Sequence, residues 1–278
     1  MRSTGWLLRI DATRVRTVGL FFSVLIFCCT ISPALRAQAG PGQIEVADLA
    51  VPTGGSERVL FIGWRPGRAT VILLSGGDGV FTIDNAGDVR PGGNFLVRTR
   101  GLWAAQGFGV VVPGPANGQS LSGRRSTAAY VGELERVVDF ARSRSNAPVW
   151  LIGTSQGSTA AVNGAARLGS KIAGVVLTSS ITRPSRVGET VFDAAPGMIS
   201  VPTLVVANSS DTCRFTAPGD APHLVAALVR SPRKELMMFD SREIESDPCR
   251  ARSPHGYLGI EATVVQRIGA WINSMTGT

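Results

Sequence analysis

A serine between two glycines is the residue of this sequence whose surroundings best suit covalent chemistry. The pentapeptide Gly153-Thr154-Ser155-Gln156-Gly157 follows the apolar run Val149–Ile152 and precedes the alanine-rich segment Thr159–Leu168. A strand, a sharp turn and a helix in this order would hold Ser155 in a strained backbone conformation with its hydroxyl above the sheet. The two glycines would avoid the collisions that any Cβ makes with the adjoining strand or helix. The pattern predicts a nucleophilic Ser155; a glycine-rich turn with an ordinary serine is the alternative.

A serine nucleophile needs a base to take its proton. The chain has two histidines, His223 and His255. His255 lies in a loop just before the last helical segment, whereas His223 lies within a segment of helical pattern. We therefore predict His255 as the base, with His223 as the alternative on a helix face.

The base in turn needs a carboxylate that orients it, and this acid should follow a strand between the serine and the histidine. Asp211 follows the apolar run Val201–Ala207 and is the predicted acid. Asp240, which follows Glu235–Phe239, stays open as an alternative, and Asp193 is a more distant one.

Attack of a serine on a carbonyl creates an oxyanion, which two aligned N–H groups must stabilise. We predict that one is the backbone N–H of Gln156, at the start of the helix after the serine. The other should come from the glycine-rich loop Ser75–Gly79 after the third strand. Gly77 is the predicted donor in this loop and Asp78 is the alternative, whereas a plain tight turn is the competing interpretation.

The cysteines predict one disulfide. Two of the four, Cys28 and Cys29, lie in the N-terminal segment, so Cys213 and Cys249 form the remaining pair. An even pair in an exported protein predicts a bond, which would tie the acid loop to the histidine loop; two buried free thiols are the alternative. Because the chain has only two histidines and no Cys-x-x-Cys, no metal site is expected.

The first 39 residues are typical of a secretory signal peptide. Arginines precede the apolar run Val18–Ile31, which is shorter than the roughly 20 residues of a membrane-spanning helix. Ala37-Gln38-Ala39 then offers the small-x-small pattern of a cleavage site. We expect export to the periplasm or the medium and no stable membrane insertion after cleavage; an uncleaved anchor is the alternative.

Charge does not indicate a nucleic-acid partner, although the formal net charge is +8. Residues 1–39 hold five arginines and one aspartate, a net +4, so only half of the excess belongs to the rest of the chain. Dense basic runs with interleaved aromatic residues are absent from the sequence. Nucleotide binding is not expected either, because the sequence has neither a G-x-G-x-x-G nor a Gly-Lys-Ser/Thr phosphate loop.

Residues 40–278 alternate strand patterns with amphipathic helical patterns, and we predict that they form one domain. The predicted strands are Ile44–Val51, Arg58–Trp64, Ala69–Leu74, Phe108–Val112, Val149–Ile152, Ile172–Leu177 and Thr203–Ala207. Apolar residues recur with helical period from Tyr130 to Ala141 and from Ile260 to Ile272. This alternation predicts an α/β fold whose doubly wound, mostly parallel sheet has helices on both faces. Thr82–Gly93 and Thr182–Ser200 are predicted loops over a site, and the second is too short for a large cap domain.

Together these motifs resemble those of the α/β-hydrolases over residues 44–278. The matching positions are Ser155 as nucleophile, Asp211 as acid, His255 as base and Gly76-Gly77 as the oxyanion turn. The segments 93–98 and 107–112 are also similar to exported bacterial members with no settled substrate. Ser75 stands where many esterases carry a histidine before the glycines.

The resemblance implies an exported serine hydrolase that cleaves small carboxylic esters through an acyl-enzyme, with no metal or organic cofactor. A peptidase or amidase with the same triad and a non-catalytic binding module on the same fold are the alternatives. Four arginines are expected to be solvated surface residues; the alternative is that they make the mouth of the site positive and favour acidic substrates. These arginines are Arg124, Arg125, Arg183 and Arg186.

Overall fold

The computed structural model describes residues 42–63, 68–186 and 188–277. The signal peptide predicted for residues 1–39 lies outside the described residues. The strands are β1 (Ile44–Ala50), β2 (Ser56–Ile62), β3 (Thr70–Leu74), β4 (Thr82–Ile83), β5 (Val89–Arg90), β6 (Gly109–Pro113), β7 (Val149–Thr154), β8 (Gly174–Thr178), β9 (Thr203–Asn208) and β10 (Lys234–Phe239). The α-helices are α1 (Phe95–Arg98), α2 (Arg100–Ala105), α3 (Ala128–Arg144), α4 (Gln156–Leu168), α5 (Ala221–Ala227) and α6 (Glu261–Thr276).

Eight strands form one sheet in the order β1-β2-β6-β3-β7-β8-β9-β10, and β4 pairs with β5 in a separate two-stranded ribbon. The pairs β1–β2 and β2–β6 are antiparallel, and the pairs from β6 to β10 are parallel. The predicted doubly wound, mostly parallel sheet is confirmed. After β3 the chain moves to β6 on one side and then returns to β7 on the other. The switch point of the topology, where such sheets bind ligands, therefore lies between β3 and β7.

Both faces of the sheet are covered by helices, which explains why the central strands are apolar on both sides. Alternate residues of β7 show the division: Val149 and Leu151 pack in the layer with α3 and α4, and Trp150 and Ile152 pack in the layer with α6. Every residue of β3, β7, β8 and β9 is buried. The site residues that follow these strands are therefore attached to the fully buried centre of the sheet.

The chain between β8 and β9 confirms the prediction that no large cap is present. Its described residues form only short 3-10 turns, at Val191–Ala194 and Pro196–Met198. Both turns pack against α4. In the described part of the chain, no helix is both long enough and apolar enough to cross a membrane.

Candidate active site

Ser155 is the single residue between the end of β7 and the start of α4. Its φ of 53° and ψ of −124° are values that residues with a side chain rarely adopt. Close packing imposes this turn, because a Cβ on Gly157 would overlap the Leu74 carbonyl of β3 and a Cβ on Gly153 would overlap Gly157. The two glycines therefore have the steric role predicted from the sequence. Ser155 remains partly exposed at the end of the sheet.

Asp211 and His255 form a buried pair. The Asp211 Oδ2 atom lies 3.0 Å from the His255 Nδ1 atom, and each residue is 5% exposed. Two further donors hold the carboxylate, since Asp211 accepts hydrogen bonds from the Cys213 N–H at 2.8 Å and from the Thr216 hydroxyl at 2.9 Å. With Nδ1 directed at the carboxylate, the Nε2 atom is the nitrogen that can exchange a proton with a substrate.

Buried hydrogen bonds fix the backbone of the histidine loop from three sides. The Ser179 hydroxyl donates to the His255 carbonyl at 2.8 Å, and the Asn208 amide donates to the Pro254 carbonyl at 2.8 Å. Tyr257 donates from its hydroxyl to the Val206 carbonyl at 3.1 Å. Because these partners follow β8 or belong to β9, the central sheet sets the position of the His255 ring.

The alternative acids and the alternative base lie elsewhere. Asp240 accepts a 2.5 Å hydrogen bond from the Ser210 hydroxyl and pairs with Arg242, and Asp193 caps a 3-10 turn through Thr190. His223 is exposed on α5. In the described part of the chain, Asp211 is the carboxylate that contacts His255.

The predicted disulfide is confirmed: Cys213 and Cys249 are bonded, with a sequence separation of 36 residues. Cys213 follows Asp211 by two residues and Cys249 precedes His255 by six. The bond therefore connects the loop of the acid to the loop of the histidine, as the sequence analysis expects.

Ser155 and His255 line one cavity of about 410 Å³, which lies at the switch point between β3 and β7. The loop after β3 and the segment 246–256 form much of its wall. No hydrogen bond joins the Ser155 hydroxyl to the His255 ring among the described residues. Such contacts are commonly long in ligand-free sites and shorten when a substrate binds.

Of the two predicted oxyanion donors, Gly77 borders the same cavity as Ser155, and Gln156 is the next residue after Ser155 in the chain. Gln156 is the first residue of α4, so its N–H has no partner within the helix. Gly77 has a φ of +64° and lies in the loop that packs directly on the serine, since a Cβ on Gly76 would lie 2.9 Å from the Ser155 Cβ. Within the described residues, neither the Gly77 N–H nor the Gln156 N–H donates a hydrogen bond, so both are available to a ligand.

Comparison with solved structures identifies the architecture. The chain is similar to a dienelactone hydrolase from Anabaena variabilis (14% identity, TM-score 0.60, 84% of this chain and 98% of that chain). It is also similar to an esterase from Pyrococcus furiosus (14% identity, TM-score 0.63, 84% and 91%). A third is an α/β serine hydrolase without lid from Xanthomonas campestris (15% identity, TM-score 0.56, 83% and 97%). The chain has the α/β-hydrolase fold.

Sequence comparison adds no closer relationship. No protein-family profile matches the chain, and no curated protein matches it significantly. At 11–15% identity the solved structures show a shared fold. The chemistry of this α/β-hydrolase fold must therefore be argued from its own residues.

The expectation of solvated surface arginines is wrong for Arg125. Arg125 is fully buried behind the loop after β3, where its guanidinium donates to the Gly77 carbonyl at 2.9 Å and to the Ser75 carbonyl at 3.2 Å. Burial lowers the pKa of this guanidinium. Arg124 pairs with Glu133 at 2.5 Å, and Arg183 pairs with Asp220 at 2.7 Å. None of these three arginines lines the cavity, and neither does the exposed Arg186, so the alternative of a positive mouth made by this set is not supported.

The walls of the cavity also differ in part from the prediction. The expected loop Thr182–Ser200 does not border it, whereas Pro91 and Gly93 of the other expected loop do. The segment 246–256 takes the remaining place and brings Arg250 and Arg252 to the cavity. Arg252 pairs with Glu245, whereas the exposed Arg250 makes no ion pair with a described residue.

Thr216 and Arg250 are the site residues that sequence reasoning missed. Thr216 follows Asp211 by five residues and its hydroxyl lies 3.1 Å from the His255 Nδ1 atom. A threonine in a loop carries no signal of such a contact in the sequence. In the described residues no three His, Cys, Asp or Glu side chains lie close enough together to hold a metal ion.

Proposed function

We propose that this protein is a serine hydrolase that cleaves carboxylic esters. The observation that carries the proposal is the buried Asp211–His255 pair, which shares one cavity with a serine in a strained turn at the start of a helix. A strained, partly exposed serine beside a histidine–carboxylate pair is the arrangement that activates a hydroxyl for nucleophilic attack.

The first half of the reaction forms an acyl-enzyme. The Ser155 Oγ atom attacks the ester carbonyl carbon while the His255 Nε2 atom accepts the hydroxyl proton. The N–H groups of Gln156 and Gly77 donate to the oxyanion, and Asp211 stabilises the imidazolium. When the tetrahedral intermediate collapses, the carbon–oxygen bond to the alcohol breaks and His255 gives its proton to the departing alcohol.

The second half repeats these roles with water as the nucleophile. His255 takes a proton from the water as it attacks the acyl carbon, and the same two N–H groups hold the second oxyanion. Collapse releases the carboxylic acid, and the proton returns from His255 to Ser155. The three side chains and the two backbone N–H groups together supply every group that both halves require.

The dimensions of the site favour small or moderately sized acyl groups. The cavity of about 410 Å³ lies at the lower end of the size range of ligand pockets, and the described residues between β8 and β9 form no cap above it. An ester is the preferred substrate class in our proposal because the similar structures include esterases and a dienelactone hydrolase.

Export to the periplasm or the medium is part of the proposal. The sequence pattern of residues 1–39 supports it, and a disulfide is typical of oxidising compartments. The mature protein is expected to begin near Gly40 and to bind no membrane stably. Intact-mass analysis of the exported protein tests this, and retention of the first 39 residues would contradict it.

Labelling with a fluorophosphonate tests the proposed triad, because such probes react only with an activated serine. We expect one adduct per wild-type chain, none in Ser155→Ala, and much slower labelling in Asp211→Ala and His255→Ala. The chain offers matched controls: Asp240→Ala and His223→Ala remove the same side chains from positions outside the cavity and should label at the wild-type rate. A folded, disulfide-bonded wild type that is not labelled would contradict the proposal and favour a binding module.

A matched pair of substrates separates an esterase from an amidase. The p-nitrophenyl ester and the p-nitroanilide of butyric acid share one acyl group, so they differ only in the leaving group. We expect kcat/KM for the ester to exceed that for the anilide by orders of magnitude. Comparable values would favour the amidase alternative.

A further inference from the structure

A buried arginine supports the loop that carries the proposed oxyanion donor. Arg125 has no exposed surface, and its guanidinium bridges the Ser75 and Gly77 carbonyls at 3.2 and 2.9 Å. It does not line the cavity, so it acts from behind the loop. Burying an arginine is costly unless its donors are paired, and the two bonds to the loop offset part of that cost, whereas the Arg125 Nε has no partner among the described residues.

The segment that carries Arg125 is held between the oxyanion loop and the helix of the serine. The Asn163 amide on α4 donates to the carbonyls of Arg125 and Thr127 at 2.8 Å each. The Leu121 N–H donates to the Asp78 carbonyl at 2.8 Å. The Glu189 carboxylate accepts from the N–H groups on either side, those of Gly123 and Ser126.

Burial and the neighbouring groups act on the guanidinium in opposite directions. Burial lowers the pKa of Arg125, whereas the neighbouring Tyr130, Glu189 and Asp78 oppose that shift. The guanidinium stays charged in proteins, so its two hydrogen bonds to the loop are charge-assisted and stronger than hydrogen bonds between neutral groups. The arrangement therefore favours a rigid loop.

The planarity of the peptide bond converts these two contacts into control of N–H directions. In a trans peptide the C=O and the N–H point in opposite directions. Holding the Ser75 and Gly77 carbonyls therefore orients the N–H groups of Gly76 and Asp78, and it fixes both neighbours of the peptide that carries the Gly77 N–H. Gly77 has a positive φ and no side chain, so at this residue the backbone depends on its neighbours to hold its conformation.

We propose that Arg125 is a positioning residue of the oxyanion hole: it holds the loop Ser75–Gly79 so that its N–H donor meets the transition state. The proposal rests on the function proposed above. It holds whether the donor is Gly77 or Asp78, because the guanidinium fixes the peptides on both sides. Arg125 itself never touches the substrate.

We expect the variants to stabilise the transition state less and to bind the substrate almost as well as the wild type. Loss of one oxyanion donor costs about 100- to 1,000-fold in kcat, and a donor that is merely mispositioned should cost about 100-fold. For Arg125→Met we expect this fall in kcat, with KM within about threefold of wild type. Arg125→Lys keeps the charge but loses the two-pronged geometry, so we expect a smaller fall of about tenfold.

The experiment uses the full chain expressed with its own N-terminal segment, a small ester substrate, and a trifluoromethyl ketone. The ketone forms a serine adduct whose oxyanion occupies the hole. Its inhibition constant should rise across the variants in proportion to the fall in kcat/KM. Arg124→Met is the matched control, because it removes the adjacent arginine, which pairs with Glu133 away from the cavity.

The outcomes separate this inference from the function on which it rests. Wild-type turnover with unchanged kcat and ketone affinity in Arg125→Met and Arg125→Lys would overturn the role of Arg125 and leave the hydrolase proposal intact. A wild type without labelling or turnover would overturn both. If Arg125→Met does not fold, Arg125→Lys decides by the same measurements. A role in folding alone would reduce the titrated fraction of active enzyme and leave the ketone affinity of that fraction unchanged.

Discussion

Removal of the Cys213–Cys249 disulfide should weaken both the stability of the protein and its proposed catalytic site. We would replace the buried Cys213 by alanine, which leaves no unpaired hydroxyl in the interior, and the exposed Cys249 by serine. The bond closes a loop of 36 residues. In the chain-entropy treatment, its loss lowers the free energy of unfolding by about 4 kcal/mol at 25 °C.

The effect on the site follows from where the bond lies. The Cys213 N–H donates at 2.8 Å to the carboxylate of Asp211, and Cys249 borders the cavity in the loop that leads to His255. Without the bond the Asp211–His255 pair loses a covalent tether between its two loops. We therefore expect a slower reaction of Ser155 with a fluorophosphonate, by about tenfold.

Urea unfolding of the double variant and of the oxidised wild type measures the difference in the free energy of unfolding. The rate of fluorophosphonate labelling, measured at urea concentrations far below the unfolding transition, gives the effect on the site. Reduction of the wild type under native conditions is the control, since it breaks the bond without changing a residue. A destabilisation below about 1 kcal/mol would refute the chain-entropy argument. Unchanged labelling in a destabilised variant would instead refute the tether between the loops.

Further predictions concern single side chains. Thr216→Val removes a 2.9 Å hydrogen bond to the Asp211 carboxylate, so kcat should fall by about tenfold, whereas Thr216→Ser should retain most activity; equal rates in all three would contradict this role. Burial raises the pKa of Glu57 from 4.5 to about 8 despite the nearby Arg136, so the folded state keeps a proton that the unfolded state releases between these values. The free energy of unfolding should therefore fall as pH rises from 4.5 to 8, by at most about 1.4 kcal/mol per pH unit, and melting curves of Glu57→Gln should lack this decline. Arg250→Ala should raise KM for an ester with a free carboxylate by about two- to fivefold and leave KM for its neutral amide unchanged, because an exposed ion pair contributes little; an equal change for both substrates would exclude a charge contact.

The fold was largely predictable because its signals are local or periodic. Apolar runs placed the central strands within one or two residues, although β2 ends at Ile62 and the ribbon of β4 and β5 was assigned to a loop. The turn at Ser155 was predictable for a steric reason, since only glycines at 153 and 157 allow β7, α4 and β3 to approach so closely. Hydrophobic pattern and glycine spacing act over a few residues, and a sequence displays them directly.

The choice of the acid shows where such signals end. Asp211 and Asp240 both follow strands, and these strands, β9 and β10, are neighbours in the sheet. Each aspartate is therefore a reasonable partner for a histidine loop at that edge. The contact with His255 spans 44 residues of sequence and depends on how the loop before α6 folds back over the sheet.

The sequence by itself determined the class of fold, the strained serine and the pairing of Cys213 with Cys249, because these depend on backbone sterics, hydrophobic periodicity and residue counts. Only the tertiary structure decided the partner of His255, the walls of the cavity and the place of Arg125. The residue type of an arginine does not show whether its side chain is solvated or buried. The bonds of Arg125 to the oxyanion loop span 48 and 50 residues. They exist because β3 and α4 pack side by side at the switch point of the sheet, which is a property of the whole fold.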